Sequence, residues 1–345
     1  MGYSLNAVQA EAVLQALKQN YSVYAPKRFP KQGRYSDTDV IKYAEVEHYE
    51  DIVWQVKSDY PAKEVLTPIQ QAIFYFTEDE YRASKGPKKP ILILARPCDI
   101  NAQHVQAKIY AGNGGYTDLY YERMREKVKF ALMECNGGDD TCFCVSMGTN
   151  KTDDYSLALK FSDEGVQVQV TDETFAPYFE GMPQAGYTPA FVEENELKVT
   201  VPDLDDKAVR LALKSHPMWK EFDGRCISCG ACTVACSTCT CFTTRDVIYG
   251  DNPEVGERRR VTASCQIAGF DQMAGQREFR STAGERMRYK VLHKFHDYKA
   301  RFGEEHMCVG CGRCTHRCPE LISISATVNK VNAAVNEIKA GLAQQ

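Results

Sequence analysis

Hydrophobic spacing in the first part of the chain predicts a helix followed by strands. Residues 4–19 are predicted to form a helix with Ser4 as its N-cap, and its apolar face is predicted to contain Leu5, Val8, Ala12 and Leu17. The segments 21–25 and 41–46 have the β-rich composition of strands. The uninterrupted apolar run 91–94 is typical of a strand covered on both faces. The pattern therefore predicts a domain with a buried central strand.

The buried strand is predicted to begin a strand–helix–strand unit. It ends at Arg-Pro-Cys-Asp (96–99), where Asp99 is predicted to cap a helix over 100–110. Alternating apolar residues over 128–132 predict a second central strand that ends at Cys135. The unit predicts an α/β N-terminal domain with a cysteine at the end of each strand, where ligands tend to bind.

The pattern in the second half of the chain predicts shorter strands and longer helices. Strands are predicted over 157–161, 166–170 and 197–201, and a helix over 203–215. Further helices are predicted over 285–302 and along the tail, where one apolar stripe contains Ile324, Val328, Val331, Val335, Ile338 and Leu342. We expect this stripe to pack on its own domain and not on a partner.

The positions of the cysteines divide the chain into two regions. Of fifteen cysteines, eleven fall within 226–318 and four within 98–144. This clustering is unlike that of a disulfide scaffold or of scattered core thiols. We therefore expect an α+β or α/β N-terminal domain over 1–215, followed by a cysteine-rich domain with a C-terminal helix over 216–345.

Charge and hydropathy argue against several classes of partner. The chain has 42 basic and 46 acidic residues and a net charge of −4, which gives no general attraction to nucleic acid or to anionic membranes. No apolar run has the length of a membrane span, and the first residues lack the pattern of a secretory signal. The glycine motifs of nucleotide sites and the nucleophilic-serine motif are also missing, so no catalytic residue is predicted. We expect a cytoplasmic protein without nucleic-acid or membrane partners.

Two cysteine runs have the spacing by which bacterial ferredoxins bind iron–sulfur clusters. The run 308–319 is C-x2-C-x2-C-x3-C-P, and the run 226–236 repeats it without the proline. Three closely spaced thiolates wrap one loop around a cubane, and the fourth reaches the other cluster. We therefore expect a ferredoxin-like domain with two [4Fe–4S] clusters. The predicted ligands are Cys226, Cys229, Cys232 and Cys318 for cluster 1, and Cys308, Cys311, Cys314 and Cys236 for cluster 2.

A zinc-stabilised interaction module is the alternative, because zinc knuckles and ribbons also use C-x2-C pairs. Zinc sites usually take two separated pairs of this kind. Each run here instead offers four cysteines within eleven residues. The spacing therefore favours iron–sulfur clusters over zinc.

Four further cysteines are candidates for a third [4Fe–4S] cluster. Two of them end predicted strands and two lie in a loop rich in Gly and Asp. The alternative is that some are core thiols, since cysteine is often buried, although C-x-C in a loop is an unusual way to fill a core. The candidate ligands of the third cluster are Cys98, Cys135, Cys142 and Cys144.

Three remaining cysteines, Cys239, Cys241 and Cys265, do not fit either ferredoxin run. They could line the dicluster domain, substitute for a ligand, or hold another centre together with an outside partner. We favour structural support. Nearby, the segment 277–301 is rich in Lys and Arg, which predicts cations that raise the potentials of the anionic clusters or steer an acidic partner. The alternative is a solvated basic face without either role.

These motifs together resemble those of a known family. The segments that carry the resemblance are Arg-Pro-Cys-Asp (96–99), Cys-Phe-Cys-Val-Ser-Met-Gly (142–148), 225–241, Ser-Cys-Gln (264–266) and 306–319. With them the chain resembles the A subunits of anaerobic sulfite reductases, and it is similar to the iron–sulfur β subunits of cytosolic sulfhydrogenases. The likeness spans nearly the whole chain. One departure is that a serine follows the fourth cysteine of the first run, where relatives usually have proline.

The resemblance implies a non-catalytic electron-transfer subunit in a heteromeric oxidoreductase. In such a complex, a flavin subunit takes electrons from NADH, this chain relays them, and a sirohaem subunit reduces sulfite to hydrogen sulfide. The sulfhydrogenase alternative differs in the terminal partner. The sequence of this chain discriminates poorly between the two.

Overall fold

The computed structural model describes residues 1–303 and 305–344. Its strands are β1 Gly2–Leu5, β2 Ser22–Phe29, β3 Val40–Glu45, β4 Gln70–Phe76, β5 Tyr81–Ala83, β6 Ile91–Ala95, β7 Val128–Met133, β8 Leu157–Ser162, β9 Gly165–Val170, β10 Phe242–Ile248 and β11 Gly256–Thr262. Its α-helices are α1 Ala7–Asn20, α2 Lys63–Leu66, α3 Pro97–Gly112, α4 Leu119–Arg125, α5 Lys207–Lys214, α6 Glu221–Arg225, α7 Ala231–Val234, α8 Ala283–Leu292, α9 Tyr298–Phe302, α10 Arg313–His316 and α11 Ile324–Leu342.

A seven-stranded sheet forms the centre of the N-terminal region, with strand order β1-β9-β8-β7-β6-β2-β3. The four strands β2, β6, β7 and β8 pair in parallel, and the flanking strands pair antiparallel. Leu92 and Leu94 face a core shared with α1, whereas Ile91, Ile93 and Ala95 face a core shared with α3 and α4. The prediction of a strand at 91–94 covered on both faces is therefore confirmed, as is the mixed α/β architecture of this region.

The beginning of the chain differs from its prediction. Ser4 and Leu5 lie in β1, which pairs with β9, so Ser4 is not an N-cap. The helix begins after Asn6, whose side-chain oxygen accepts a hydrogen bond from the Gln9 backbone amide, while the Asn6 backbone amide donates one to the Gln9 side-chain oxygen. This capping box ends the strand and starts the helix. The buried face of α1 is also shifted from the predicted one, and it contains Ala10, Val13, Leu14 and Leu17.

Two other local predictions were wrong because the polar groups concerned bind to residues that are distant in the sequence. The helix predicted over 100–110 begins earlier, at Pro97, and Asp99 lies inside its first turn with its carboxylate bound to Arg313. The segment 197–201 was predicted as a strand, but it is irregular and exchanges hydrogen bonds with Asn329 of α11. In both places long-range contacts override the local pattern.

A second sheet joins distant parts of the sequence. Its order is β10-β11-β4-β5, and all its strand pairs are antiparallel. The hairpin β4–β5 precedes the domain boundary predicted near residue 215, whereas β10 and β11 lie between the two ferredoxin runs. The division into 1–215 and 216–345 stays a prediction, and β4 hydrogen-bonds directly to β11 across it.

The C-terminal helix α11 packs on the cysteine-rich region, as predicted. Its buried residues join a core with α5, α6 and α8. That core also contains Phe143 of the N-terminal region and Cys318 of the second run. None of the helices found in 1–303 and 305–344 combines the length and the apolar composition that a bilayer crossing requires.

We predict that Val331→Ala lowers the stability of the protein more than a change on the opposite face of α11. Val331 has no exposed surface, so the variant loses buried methyl groups and leaves a small cavity, at a cost of about 2 kcal/mol. Thermal unfolding without oxygen measures the effect, with exposed Asn336→Ala as the control. Equal midpoints for the two variants would contradict the predicted packing of the stripe.

Candidate metal centres

Thiols from both ferredoxin runs line a first cavity. Cys226 and Cys229 lie in the loop before α7, Cys232 lies on α7, and Cys318 follows α10 in the second run. The Cys229 thiol belongs to an exposed residue, so this cavity reaches the surface. The apolar part of its wall comes from Ile227, Met287, Pro319, Ile322 and Ile324. The structure thus brings the four residues predicted for cluster 1 to one place.

A second cavity is more enclosed and is lined by the four residues predicted for cluster 2. Cys308 and Cys311 come from the loop before α10, Cys314 from α10, and Cys236 from the end of the first run. Phe143, Val309 and Ile324 contribute apolar surface. Cys314, Lys290 and Ile324 line both cavities, so the two cavities are neighbours separated by side chains.

The donor set of each cavity fits a [4Fe–4S] cluster, which takes four cysteine thiolates. Burial raises the pKa of Cys308 to about 12, and it also raises the pKa of Cys314. Cluster binding must therefore drive the release of these thiol protons. In contrast, the pKa of Cys236 is held well below its usual value by a hydrogen bond from Cys239 and by the charges of Lys294 and Lys63.

Across 1–303 and 305–344, no three His, Cys, Asp or Glu side chains lie close enough to hold a single metal ion.

Close packing against the second run requires glycine. Gly310 has a φ of +65°, and its carbonyl accepts a hydrogen bond of 2.8 Å from the Phe143 amide. A Cβ at this position would lie 2.6 Å from the backbone of Phe143 and Cys144. Gly312, with a φ of +70°, approaches the Thr141 backbone in the same way. The loop that carries Cys142 and Cys144 is therefore seated directly on the second run.

A buried ion pair joins α3 to the second run. The Arg313 side chain is fully buried and donates two hydrogen bonds of 2.7 Å to the two carboxylate oxygens of Asp99. It also donates to the Ser58 carbonyl at 2.9 Å and to the Ser237 hydroxyl at 3.1 Å. Ser237 is the residue that replaces the expected proline, and its hydroxyl completes this network. Asp99 and Arg313 each stand next to a cysteine in the sequence, which was the available signal. Their pairing was not predicted.

Two buried lysines from the N-terminal region bind to the backbone of the cysteine runs. Lys57 donates to the Cys311 carbonyl at 2.7 Å and forms an ion pair with Asp139 at 2.7 Å. Lys63 donates to the carbonyls of Thr233 and Cys239 at 3.3 Å and 3.1 Å. Nothing in the local sequence distinguishes these lysines from surface lysines, so sequence analysis missed them.

The residues predicted for a third cluster lie next to the second cavity but in two surroundings. The pKa of Cys98 is raised by burial and by the nearby charges of Asp99, Cys311 and Cys144. The pKa of Cys144 is likewise raised by burial and by the nearby charge of Cys135. Cys144 therefore lies close to both Cys98 and Cys135. Cys142 instead lies 3.4 Å from the Lys57 ammonium. Convergence of all four residues on a third cluster stays a prediction.

The three unassigned cysteines lie close to other cysteines or to a residue of the cavity walls. Cys239 contacts Cys236, and Cys241 contacts Cys265. The hydrogen bond from Cys241 lowers the pKa of Cys265 to about 6, and a further hydrogen bond from Gln266 contributes. These contacts place all three in the packing around the cysteine runs.

Comparison with known proteins agrees with this geometry. Residues 225–322 match the 4Fe-4S dicluster domain family. The whole chain is similar to sulfhydrogenase 2 subunit beta of Pyrococcus furiosus, with 26% identity over 340 residues, covering 91% of this chain and 93% of that protein. No solved structure matches the chain. The prediction of a dicluster domain followed by a C-terminal helix is confirmed, and the domain binds two [4Fe–4S] clusters. The supported class is an iron–sulfur electron-transfer protein of oxidoreductase type.

We predict that Gly310→Ala reduces the amount of iron bound. The variant adds a Cβ that collides with the Phe143–Cys144 backbone and also imposes the strain of a positive φ. Gly250→Ala is a matched control, because Gly250 has a φ of +68° but open space around its Cβ position. Iron and acid-labile sulfide per chain measure the result after purification without oxygen. If both variants retained equal iron, close packing at Gly310 would not be needed to hold the second cavity.

We predict that Asp99→Asn destabilises the protein strongly, because it leaves the buried Arg313 charge without its anion. The expected cost is about 3–5 kcal/mol, against at most about 1 kcal/mol for breaking an exposed ion pair. Glu80→Gln, which breaks the exposed pair with Arg82, is the control. Thermal unfolding of Asp99→Asn and Glu80→Gln measures the two costs, and a cycle of Asp99→Leu, Arg313→Met and their double variant measures the coupling. A double variant as unstable as the sum of its two single variants would show that the pair is not coupled.

Proposed function

We propose that this chain is the electron-transfer subunit of an anaerobic, NADH-dependent sulfite reductase. In this proposal it relays electrons from a flavin subunit to a sirohaem subunit, which reduces sulfite to hydrogen sulfide. The observation that supports it most is the shared wall between two cavities lined by cysteines of both runs. Neighbouring one-electron centres suit a relay that accepts electron pairs from a flavin and passes them on singly. We place the complex in the cytoplasm, as the sequence predicts.

The proposed ligand sets cross between the two runs. The lining of each cavity includes three cysteines of one run and the last cysteine of the other, and Cys314 of the second run also borders the first cavity. We therefore assign Cys226, Cys229, Cys232 and Cys318 to cluster 1, and Cys308, Cys311, Cys314 and Cys236 to cluster 2. Because neither run completes a site alone, the two runs must fold together before either cluster is fully held.

The surrounding residues have separate tasks in this relay. When bound, the clusters supply reversible one-electron transfer. Apolar side chains such as Phe143 and Val309 keep water from the second cavity, and the exposed Cys229 brings the first cavity to the surface, where a partner can approach. A third cluster held by Cys98, Cys135, Cys142 and Cys144 would extend the path from cluster 2 into the N-terminal domain, since their loop is seated on the second run.

The second candidate is the β subunit of a sulfhydrogenase. It is favoured by the similarity to sulfhydrogenase 2 subunit beta over most of both chains. The two candidates share the relay and differ only in the terminal partner. Isolation of the complex without oxygen, followed by assays for NADH-linked sulfide formation and for hydrogen formation, discriminates between them.

The zinc-stabilised module weighed from the sequence is not supported, because residues 225–322 match a 4Fe-4S dicluster domain. Bound clusters give broad visible absorption that is bleached by dithionite, together with about eight iron and eight sulfide per chain or more. Zinc gives neither. A colourless, zinc-containing protein would end the relay proposal for either terminal partner.

We predict that Cys318→Ser and Cys226→Ser perturb the same cluster, although the two residues lie 92 positions apart in different runs. A serine ligand changes the EPR spectrum and potential of the cluster it binds. Cys308→Ser is the comparison, because it should perturb the other cluster. If Cys318→Ser changed the same signal as Cys308→Ser, ligation would not be crossed.

We predict that Cys311→Ala abolishes NADH-linked sulfite reduction by the complex, because it removes a ligand of cluster 2. Sulfite reduction by the sirohaem subunit with an artificial electron donor should continue, since that route bypasses this chain. Cys241→Ala, which changes a cysteine outside the proposed ligand sets, is the control and should retain NADH-linked turnover. Unchanged NADH-linked turnover in Cys311→Ala would contradict the relay.

A further inference from the structure

Two lysines of the basic segment 277–301 face inward, away from solvent. Lys290, on α8, and Lys294, in the π-helical turn that follows, are each only 3% exposed. Their spacing of one turn places both side chains on the cluster side of this helical segment. Other cations of the segment, such as Lys299, are exposed. The segment is therefore not a uniform basic face: Lys290 and Lys294 are buried, as is Arg286, which is 5% exposed and hydrogen-bonds to the Gln266 carbonyl and the Ser228 hydroxyl.

The two lysines differ in which cavity they line. Lys290 lines both cluster cavities, whereas Lys294 lines the second one. The Lys294 ammonium donates a hydrogen bond of 3.0 Å to the Thr238 hydroxyl. Within the described residues, the Lys290 ammonium has no hydrogen-bond partner. Lys290 therefore stands between the two cavities without a protein group to satisfy it.

A buried ammonium in this position requires an anion. Leaving such a charge unpaired in a protein interior is costly, and no carboxylate reaches Lys290 in the parts of the chain that the structure describes. Cubanes with four thiolate ligands are anionic, and each becomes more so on reduction.

We propose that Lys290 is the shared counter-ion of the two clusters, raising both reduction potentials and reducing the repulsion between the clusters when both are reduced. Lys294 acts in the same way on cluster 2 alone. Lys290 is thus a positioning and tuning residue for electron transfer. This inference rests on the ligand sets proposed above. A shared counter-ion explains how two anionic clusters in neighbouring cavities can both be reduced at similar potentials.

The test is a redox titration of the whole chain, purified without oxygen and monitored by EPR. Lys290→Met removes the charge and keeps a side chain of similar length, and Lys290→Arg retains the charge. Lys294→Met tests the second site, and Lys299→Met removes an exposed charge as the control. Signals are assigned to clusters with the Cys226→Ser and Cys308→Ser variants. Iron content is measured for every variant.

The expected result is a fall in both potentials in Lys290→Met. Because the ammonium lies close to both clusters in a medium of low dielectric constant, we expect at least a tenfold change in each reduction equilibrium, or about 59 mV for one electron. Lys294→Met should lower the reduction potential of cluster 2 only. Lys299→Met should shift both reduction potentials by less than Lys290→Met does. Lys290→Arg should have reduction potentials close to those of the unmodified chain.

Three results would overturn the inference: unchanged potentials in Lys290→Met, a shift in one cluster only, or the same behaviour of Lys290→Arg and Lys290→Met. If Lys290→Met and Lys290→Gln both lost their clusters while Lys290→Arg kept them, the charge would be needed even to hold the pair, which supports the inference. If the unmodified chain gave no cluster signals, the ligand sets would fail, and that outcome is distinct from unmoved potentials.

Discussion

Each of the two cysteine cavities takes thiols from both runs, and this constraint organises the C-terminal half of the molecule. The last cysteine of each run lines the cavity begun by the other, so α7 and α10 must lie side by side. The chain between the runs leaves this site, forms the hairpin β10–β11 and returns through α8. In doing so it brings Lys290 and Lys294 to the cavities and fixes the distance between the two centres.

The N-terminal region holds the two runs in this arrangement through buried polar contacts. Removing one partner of such a contact would cost free energy. The Arg313–Asp99 pair is fully buried, and Lys57 and Lys63 bind backbone carbonyls of the cysteine runs. Buried ion pairs contribute little net stability compared with apolar packing, but removal of one partner is costly. Such contacts therefore serve mainly to fix the positions of the segments that they join. Lys57 joins the Asp139–Cys142 loop to the second run, Arg313 joins that run to α3, and Lys63 joins α2 to the region of the first run.

The sequence was sufficient where the deciding interactions are local. The apolar run at β6, the apolar residues of β7 and the α11 stripe from Ile324 to Val335 are buried as predicted, whereas Leu342 at the end of the stripe is exposed. The spacing within each cysteine run reflects the geometry of a single loop. Prediction failed where distant residues decide. Asp99 was taken for a helix cap because its partner Arg313 lies in another part of the chain, and the pairing of β4 with β11 has no local signal. The inward orientation of Lys290 and Lys294, within a segment that looks uniformly basic, likewise depends on tertiary packing.

The most direct test of the account is the EPR spectrum of the chain, purified without oxygen and fully reduced with dithionite. Two [4Fe–4S] clusters that share a wall must sense each other magnetically. We expect at least two spins per chain, one for each dicluster centre and one more for a third cluster, with the broadened, split signal of interacting centres. No signal, or the simple spectrum of isolated centres, would contradict the claim that crossed cysteine ligands hold two adjacent clusters in this chain.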